Sequence, residues 1–505
     1  MTTLLTIVFM SKKIGSAEPK AVLKQYFGYD DFRPGQSEII EAIVSGRDVL
    51  AILPTGGGKS LCFQVPALCL GGTTIVISPL ISLMQDQIAN LVKHGINATL
   101  INSTLDSAEQ AERLQKMAAG VYRFVYVAPE KLGSRVFQQA CRQARVRFVA
   151  LDEAHCLSLW GHDFRPSYLQ IIDFLDAVFG EKKRPVIAAY TASATPAVVA
   201  DILQHGGLRP EALIVQRSFA RTNLEIFVKH CRDHHHKLLC ILRLLKKHRG
   251  QSGIIYVLTR KRAEELVARI NQLTRTWRGA PLAYYHGGQE SKLRAKIQDD
   301  FIAGRVPVIV ATNAFGMGVD KPDVRFVIHD QISSNLENYY QEIGRGGRDG
   351  EIARCYALVT ASDLEINHRF ITASRAPREQ KQVLRHKLAA IEKYLETAHC
   401  RQRQILDYFA EENHVPCGHC DQCQPGSDAF AIDEAEHKDF LSLLQVRKDL
   451  ARRDRLIATT ICTQLALNYA AALGASVWDK PQIVPGFGQG FLQNFARHFA
   501  RVARD

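Results

Sequence analysis

Three glycines run into a lysine and a serine at Gly56-Gly57-Gly58-Lys59-Ser60, with Pro54 and Thr55 between them and a short apolar run at 48–53. Successive backbone N–H groups hold a phosphate chain best where side chains are missing and where a strand turns into a helix N-terminus. Lys59 then meets the β- and γ-phosphates as a point charge, the Ser60 hydroxyl ligates Mg²⁺, and Thr55 completes the loop. The general pattern asks for glycine at position 53, where this chain has Leu53. Three consecutive glycines keep the cradle, and the chemistry they imply is ATP binding.

A second cluster supplies the other half of a hydrolytic site. Phe148-Val149-Ala150-Leu151 reads as a buried strand, and Asp152 and Glu153 follow at its C-terminal end, where open α/β sheets place their ligands. Asp152 is expected to hold Mg²⁺ through water, and Glu153 to orient or deprotonate the attacking water. Farther on, Gln341-Glu342-Ile343-Gly344-Arg345-Gly346-Gly347-Arg348-Asp349-Gly350 sets two guanidinium groups among glycines. Arg345 and Arg348 are candidates for stabilising charge at a γ-phosphate in the transition state.

Four of the twelve cysteines form a third cluster. Cys417, Cys420 and Cys423 stand at i, i+3 and i+6 around Gly418, and Cys400 ends a long helical stretch upstream. Four thiolates close a tetrahedral site, which suits a structural zinc ion; an iron–sulfur cluster is the competing occupant. His414 and His419 read as solvated turn residues. The other cysteines are scattered singly, which is no secreted disulfide framework. His234-His235-His236, beside Cys231, reads as a solvated loop.

The elements that must position these groups alternate β and α. Apolar runs at 49–53, 74–78, 124–127, 148–151 and 186–190 read as strands, and the alternation restarts after Arg221 with 252–257, 282–285, 308–311 and 326–329. Helices such as 261–272 lie between them. The pattern predicts two doubly wound α/β lobes in tandem, with the phosphate loop only in the first. At 505 residues several domains are expected. The boundaries are an N-terminal extension at 1–16, lobes at 17–217 and 218–365, a helical cysteine module at 366–428 and a small helical domain at 429–505. An apolar fraction of 46% with 23% charged residues is that of a folded soluble protein, and no run of eighteen apolar residues proposes a membrane span. Residues 1–10 lack the basic start and small-residue cleavage site of a signal peptide, so a cytoplasmic location is expected, nucleoid-associated if the source is bacterial. A net charge of +13 favours a polyanionic partner.

Together these motifs resemble the RecQ family of superfamily 2 DNA helicases over about residues 17–425. The resemblance includes Phe27-Gly28-Tyr29-Asp30-Asp31-Phe32-Arg33-Pro34-Gly35-Gln36, and it rests most on Asp152-Glu153-Ala154-His155-Cys156-Leu157-Ser158-Leu159-Trp160-Gly161-His162-Asp163-Phe164-Arg165-Pro166. It implies two RecA-like lobes and a zinc module. By the same resemblance, Gln36 holds the adenine edge between Tyr29 and Arg33, and Asp320 lies near the ribose. The aromatic loop senses single-stranded DNA: Trp160 and Phe164 offer flat faces to unstacked bases and Arg165 a cation. Ser78 lines the strand path on the first lobe, Thr312 contacts the phosphate backbone on the second, and the segment 191–195 couples the lobes.

The chain departs from the family's usual pattern at Leu159, where glutamine is common, and at Gly346, where alanine is usual and glycine is expected to loosen the loop slightly. After the zinc module no run of short strands reads as a winged-helix domain. Instead 440–453 and 491–502 read as helices of a small C-terminal helical domain like that of some RecQ-type helicases, with Gly486-Phe487-Gly488 as a turn that either meets a phosphate or merely joins helices. The expectation is an ATP- and Mg²⁺-dependent helicase that moves 3′ to 5′ on single-stranded DNA and opens tailed duplexes in recombination and repair. Single-strand-binding or repair proteins are possible partners, and the oligomeric state stays open. An ATPase that anneals or translocates without unwinding and an RNA helicase are the alternatives.

Overall fold

The computed structural model describes residues 18–503, apart from Thr55, 103–104, His162, 181–182, 275–280, 316–320, 413–414, 426–429 and 431–433. Thr55, Asp320, His414 and the N-terminal extension therefore lie outside the described residues. Two compact units are present, Met1–Phe219 with Tyr408–Glu411 and Ala220–Asp407 with Glu412–Asp505.

The first unit is built on β1 (Val49–Ile52), β2 (Thr73–Ile77), β3 (Ala98–Ile101), β4 (Phe124–Val127), β5 (Val146–Leu151), β6 (Val186–Thr191) and β7 (Leu213–Gln216). Their order is β3-β4-β2-β5-β6-β1-β7, and every pairing is parallel. Helices cover both faces, so β1, β2, β4 and β6 are buried at every position and read as unbroken apolar runs rather than alternating ones. The order has a consequence for chemistry. Because β5, β6 and β1 are neighbours, Asp152 after β5, Thr191 at the end of β6 and the glycine loop after β1 emerge side by side.

The second unit carries β8 (Leu224–His230), β9 (Ser252–Tyr256), β10 (Ala283–Tyr285), β11 (Val308–Ala311), β12 (Val324–His329) and β13 (Ala353–Val359), in the order β10-β11-β9-β12-β13-β8 and again all parallel. The helices Ala361–Ala373 and Arg378–Glu396 that lead to the cysteines are pinned to this sheet's helices by buried ion pairs. Lys237 meets Asp363 at 2.5 Å with both side chains fully buried, and Lys387 meets Glu337. Removing one partner of such a pair strands a buried charge and is strongly destabilising. Among the described residues no helix is long and apolar enough to cross a membrane.

Four strands were not foreseen: β3, β7, β8 and β13. The C-terminal segment is helical as read, with Glu434–Arg453 and Gln464–Leu473, but the helix expected at 491–502 is two, Gln489–Asn494 and Ala496–Val502, broken at Phe495. These helices share one apolar core with the second sheet, in which Leu443, Leu467, Trp478 and Phe499 join Leu238, Leu242 and Ile270. Arg243 pairs with Glu436 at 2.7 Å, and Arg269 donates to the Ile483 carbonyl at 3.1 Å. The Gly-Phe-Gly turn packs its aromatic residue inward. Phe487 is buried, with its ring 3.9 Å from that of Phe491. The three histidines are not a loop either: they open the helix His234–Lys247, because the Asp233 side chain accepts the His236 N–H and caps it.

Candidate nucleotide site and four-cysteine centre

The glycine loop needs its glycines for different reasons. Gly56 and Gly58 adopt left-handed backbone, φ +84° and +76°, which a side chain would strain. A Cβ on Gly57 would meet the Pro54 carbonyl at 2.9 Å. Gly58 hands over to the helix Lys59–Leu70, so Lys59 and Ser60 stand in its first turn. Lys59 Nζ lies 3.6 Å from Glu153 Oε1, with both side chains mostly buried.

Glu153 is one of the few residues other than glycine with positive φ, +48°. That turn stands just after the end of β5. Glu153 Oε2 lies 3.3 Å from His155 Nδ1, which is also 3.1 Å from the Thr191 hydroxyl; Thr191 in turn donates to the Ser193 carbonyl. A continuous polar path therefore joins the carboxylate to the segment 191–195. His155 and Thr191 were not singled out as site residues, although their places in the two motifs marked them. Asp152 is held by its neighbours: its side chain accepts the Glu153 N–H, and Tyr168 donates to its carbonyl. Burial, and then the adjacent Glu153 charge, push its carboxyl up to about 6. A cation placed there would reverse that shift.

Ser78, expected on the strand path, is 1% exposed, and its hydroxyl donates to Asp152 at 3.4 Å; it belongs with the carboxylates. Gln36 is buried against the glycine loop. Its Nε2 donates to the Gly57 and Gly58 carbonyls at 3.3 and 3.1 Å, its Oε1 accepts the Arg33 N–H, and Arg33 donates to the Gly56 carbonyl. Tyr29 is exposed nearby in sequence.

The aromatic loop folds back on the carboxylate motif. The Arg165 N–H donates to the Cys156 carbonyl, and Gly161 packs so closely under His155 that a Cβ would sit 2.0 Å from its carbonyl oxygen. Trp160 is left 41% exposed and Phe164 half-buried. Arg165 is committed within the loop, forking onto Asp163 Oδ2 at 2.9 and 3.1 Å and donating to the Pro79 carbonyl. In the second unit Thr312 is buried beside β11, its N–H on the Tyr285 carbonyl. Arg345 is 7% exposed near Tyr256. Gly346 does not loosen the arginine loop. A Cβ there would meet that of Ala353 at 2.9 Å, so glycine is what lets the loop pack down.

The four cysteine sulfurs all lie within 4.8 Å of one another. Zinc–sulfur bonds of about 2.3 Å in a tetrahedron put sulfurs about 3.8 Å apart, and Cys417 and Cys423 stand at 3.9 Å. An iron–sulfur cube spreads its thiolates wider than a single ion does. Cys400 accepts the Cys417 N–H and Cys420 the Arg401 N–H, at 3.2 and 3.4 Å. Hydrogen bonding from the Cys417 thiol lowers the Cys420 thiol below its ordinary range. Arg401 forks onto Asp421 behind the cluster and fixes the cysteine loop to its helix. The donor set fits zinc.

Comparison with known proteins agrees with this layout. Residues 33–202 match the DEAD/DEAH box helicase family, 236–350 the helicase conserved C-terminal domain and 361–424 the RecQ zinc-binding family. The chain is 43% identical over 408 residues to the ATP-dependent DNA helicase RecQ of Bacillus subtilis, covering 80% of this chain and 66% of that protein. It is 38% identical over 385 residues to the probable ATP-dependent DNA helicase RecS of the same organism, covering 76% and 75%. It thus spans just under two thirds of the first relative and three quarters of the second. Among solved structures, the DEAD-box helicase Mss116 bound to single-stranded RNA and UDP-BeF shares the fold, with a TM-score of 0.59 at 16% identity over 98% of this chain and 96% of that one.

Proposed function

The chain belongs to the RecQ family of superfamily 2 helicases, and from that premise we propose that it is an ATP-dependent DNA helicase that moves 3′ to 5′ on single-stranded DNA and opens tailed duplexes. The observation that supports this most is the joining of two chemistries on one strand end. Glu153, next to Asp152 at the end of β5, faces Lys59, and seven residues later Trp160 stands exposed on a loop folded back onto the same motif.

In this reading the glycine loop and Lys59 bind the triphosphate, with Tyr29, Arg33 and Gln36 at the base. Ser60 and Asp152 would hold Mg²⁺, which supplies charge neutralisation at the β- and γ-phosphates. Glu153 orients the attacking water and takes its proton, with His155 steadying the carboxylate. Arg345 and Arg348 are the candidate guanidinium groups for charge that develops at the γ-phosphate. Trp160 and Phe164 stack on unpaired bases, and Thr312 meets the DNA backbone. Phosphate contacts then dominate affinity, so binding weakens steeply with salt and shows little sequence preference. Zinc on Cys400, Cys417, Cys420 and Cys423 is structural. A cytoplasmic role in recombination and repair follows from the same reading.

The test is strand displacement on a duplex with a 3′ single-stranded tail, with ATP, without ATP and with Lys59→Ala, beside ATPase assays with single-stranded DNA and RNA. Displacement that needs ATP, vanishes in the variant and goes with DNA as the better stimulator is the expected result. Stimulated hydrolysis without displacement sinks the helicase reading in favour of a translocase or annealing ATPase. Stronger stimulation by RNA points to an RNA substrate.

A further inference from the structure

The segment that joins the two sheets, residues 217–223 between β7 and β8, is held at three points, each leading to a different part of the chemistry. At its start Arg217 donates to Glu38 Oε2 at 3.0 Å and lies against Gly35, where a Cβ would meet Arg217 Nε at 2.2 Å. Gly35 and Glu38 flank Gln36, the residue bonded to the glycine loop. At its end Arg221 donates to the Gly344, Gly346 and Gly347 carbonyls at 3.4, 3.0 and 3.2 Å. Asn223 Nδ2 donates to the Gly347 and Glu351 carbonyls, both at 2.8 Å. Those carbonyls belong to the loop that carries Arg345 and Arg348.

The middle hold comes from elsewhere in the chain. The Ser218 hydroxyl and the Phe219 N–H both donate to the Glu411 carboxylate, at 2.5 and 2.7 Å. The buried rings of Phe219 and Phe409 lie 4.5 Å apart. Glu411 follows the helix Arg401–Tyr408, which begins immediately after Cys400. Between helix and clamp, Ala410 adopts φ +55°. A residue with a Cβ avoids that conformation, and such strain persists only where the surroundings over-determine it. A carboxylate that accepts two hydrogen bonds is a stronger tether than a neutral acceptor.

We propose that Glu411 is a positioning residue for ATP hydrolysis. By fixing Ser218 and Phe219 it sets the linker, so that the four-cysteine module governs how firmly the linker holds the glutamine segment at one end and the arginine loop at the other. The inference rests on the ATPase reading above.

The experiment compares kcat and KM for ATP, at saturating single-stranded DNA, in Glu411→Ala, Glu411→Gln and wild type, with zinc content measured on each. Alanine removes both acceptors, whereas glutamine keeps an oxygen for the Phe219 N–H. The expected result is a kcat lowered about fivefold or more in the alanine variant, zinc content unchanged, and most of the loss restored by glutamine. A wild-type kcat in the alanine variant overturns the proposal. So does a loss that glutamine does not restore or that goes with loss of zinc, either of which marks a merely structural role. If the alanine variant does not fold, Ser218→Ala and Phe409→Leu replace it, lowered kcat supporting the clamp and wild-type kcat in both overturning it. Wild-type protein that hydrolyses no more ATP than Lys59→Ala fails the ATPase reading instead, which separates the two failures.

Discussion

Lys59 and Glu153 face each other across 3.6 Å in the first unit, and the Cys417 and Cys423 sulfurs stand 3.9 Å apart in the second. Both sites sit where the chain leaves a regular element and turns on glycine, yet their polar groups point to different ends. At the cysteine cluster four sulfurs converge, backbone N–H groups brace two of them, and Arg401 and Asp421 lock the loop from behind. At the candidate nucleotide site Lys59 at the end of the glycine loop faces Glu153, whose nearest relations run outward, through His155 to Thr191 and through the 156–165 loop to an exposed tryptophan. A closed ligand set stabilises a fold. A set with open positions is suited to bind and to signal.

The comparison breaks most visibly at Glu153. Glu153→Gln keeps the shape and removes the base, so DNA-stimulated hydrolysis is expected to fall on the order of 10²-fold to 10⁴-fold, with nucleotide binding, followed by a fluorescent analogue, retained. A variant that still hydrolyses ATP at the normal rate would take the base role away from this carboxylate. The closed site should fail in the opposite way. Cys420→Ser is expected to release the metal and cost on the order of several kcal/mol of stability, seen as lost zinc in elemental analysis and a lower melting temperature. Unchanged melting with zinc gone would show that the loop is held by Arg401 and Asp421 alone. The smallest effect is expected at Trp160. Losing one stacking face costs about 1–3 kcal/mol per base, so Trp160→Ala should raise the DNA concentration for half-maximal ATPase stimulation at least about fivefold. Stimulation at the wild-type concentration would mean that the ring only packs.

What local sequence could say, and what it could not, divides along the same line. The glycine loop, the Asp152-Glu153 pair and the Cys417-Cys420-Cys423 run stand out in the sequence because each is a short string with the spacing that a phosphate or an ion would require. Most central strands were legible because burial on both faces leaves an unbroken apolar run; β13, central as well, was missed because Arg354 interrupts its run. Of the strands not foreseen, β3 and β7 are four-residue edge strands, and β8, also at an edge, mixes buried and half-exposed positions along Leu224–His230. Side-chain commitments were invisible too. Nothing in the string around Arg165 says that its guanidinium closes onto Asp163, or that Ser78 turns to Asp152. The shared core of the C-terminal helices escaped for a related reason: periodicity shows that a helix has an apolar face, never what covers it.

That shared core orders events in time as well as in space. Leu238, Leu242 and Ile270 leave the ribosome long before Leu443, Leu467 and Phe499, the residues that complete their packing. At ordinary elongation rates the interval is on the order of ten seconds or more. Throughout it those flanks of the second sheet's helices lack the C-terminal residues that complete their core. Biogenesis of this chain therefore contains a built-in waiting period, during which a holdase or a neighbouring nascent chain competes with its own last helices for the same surface.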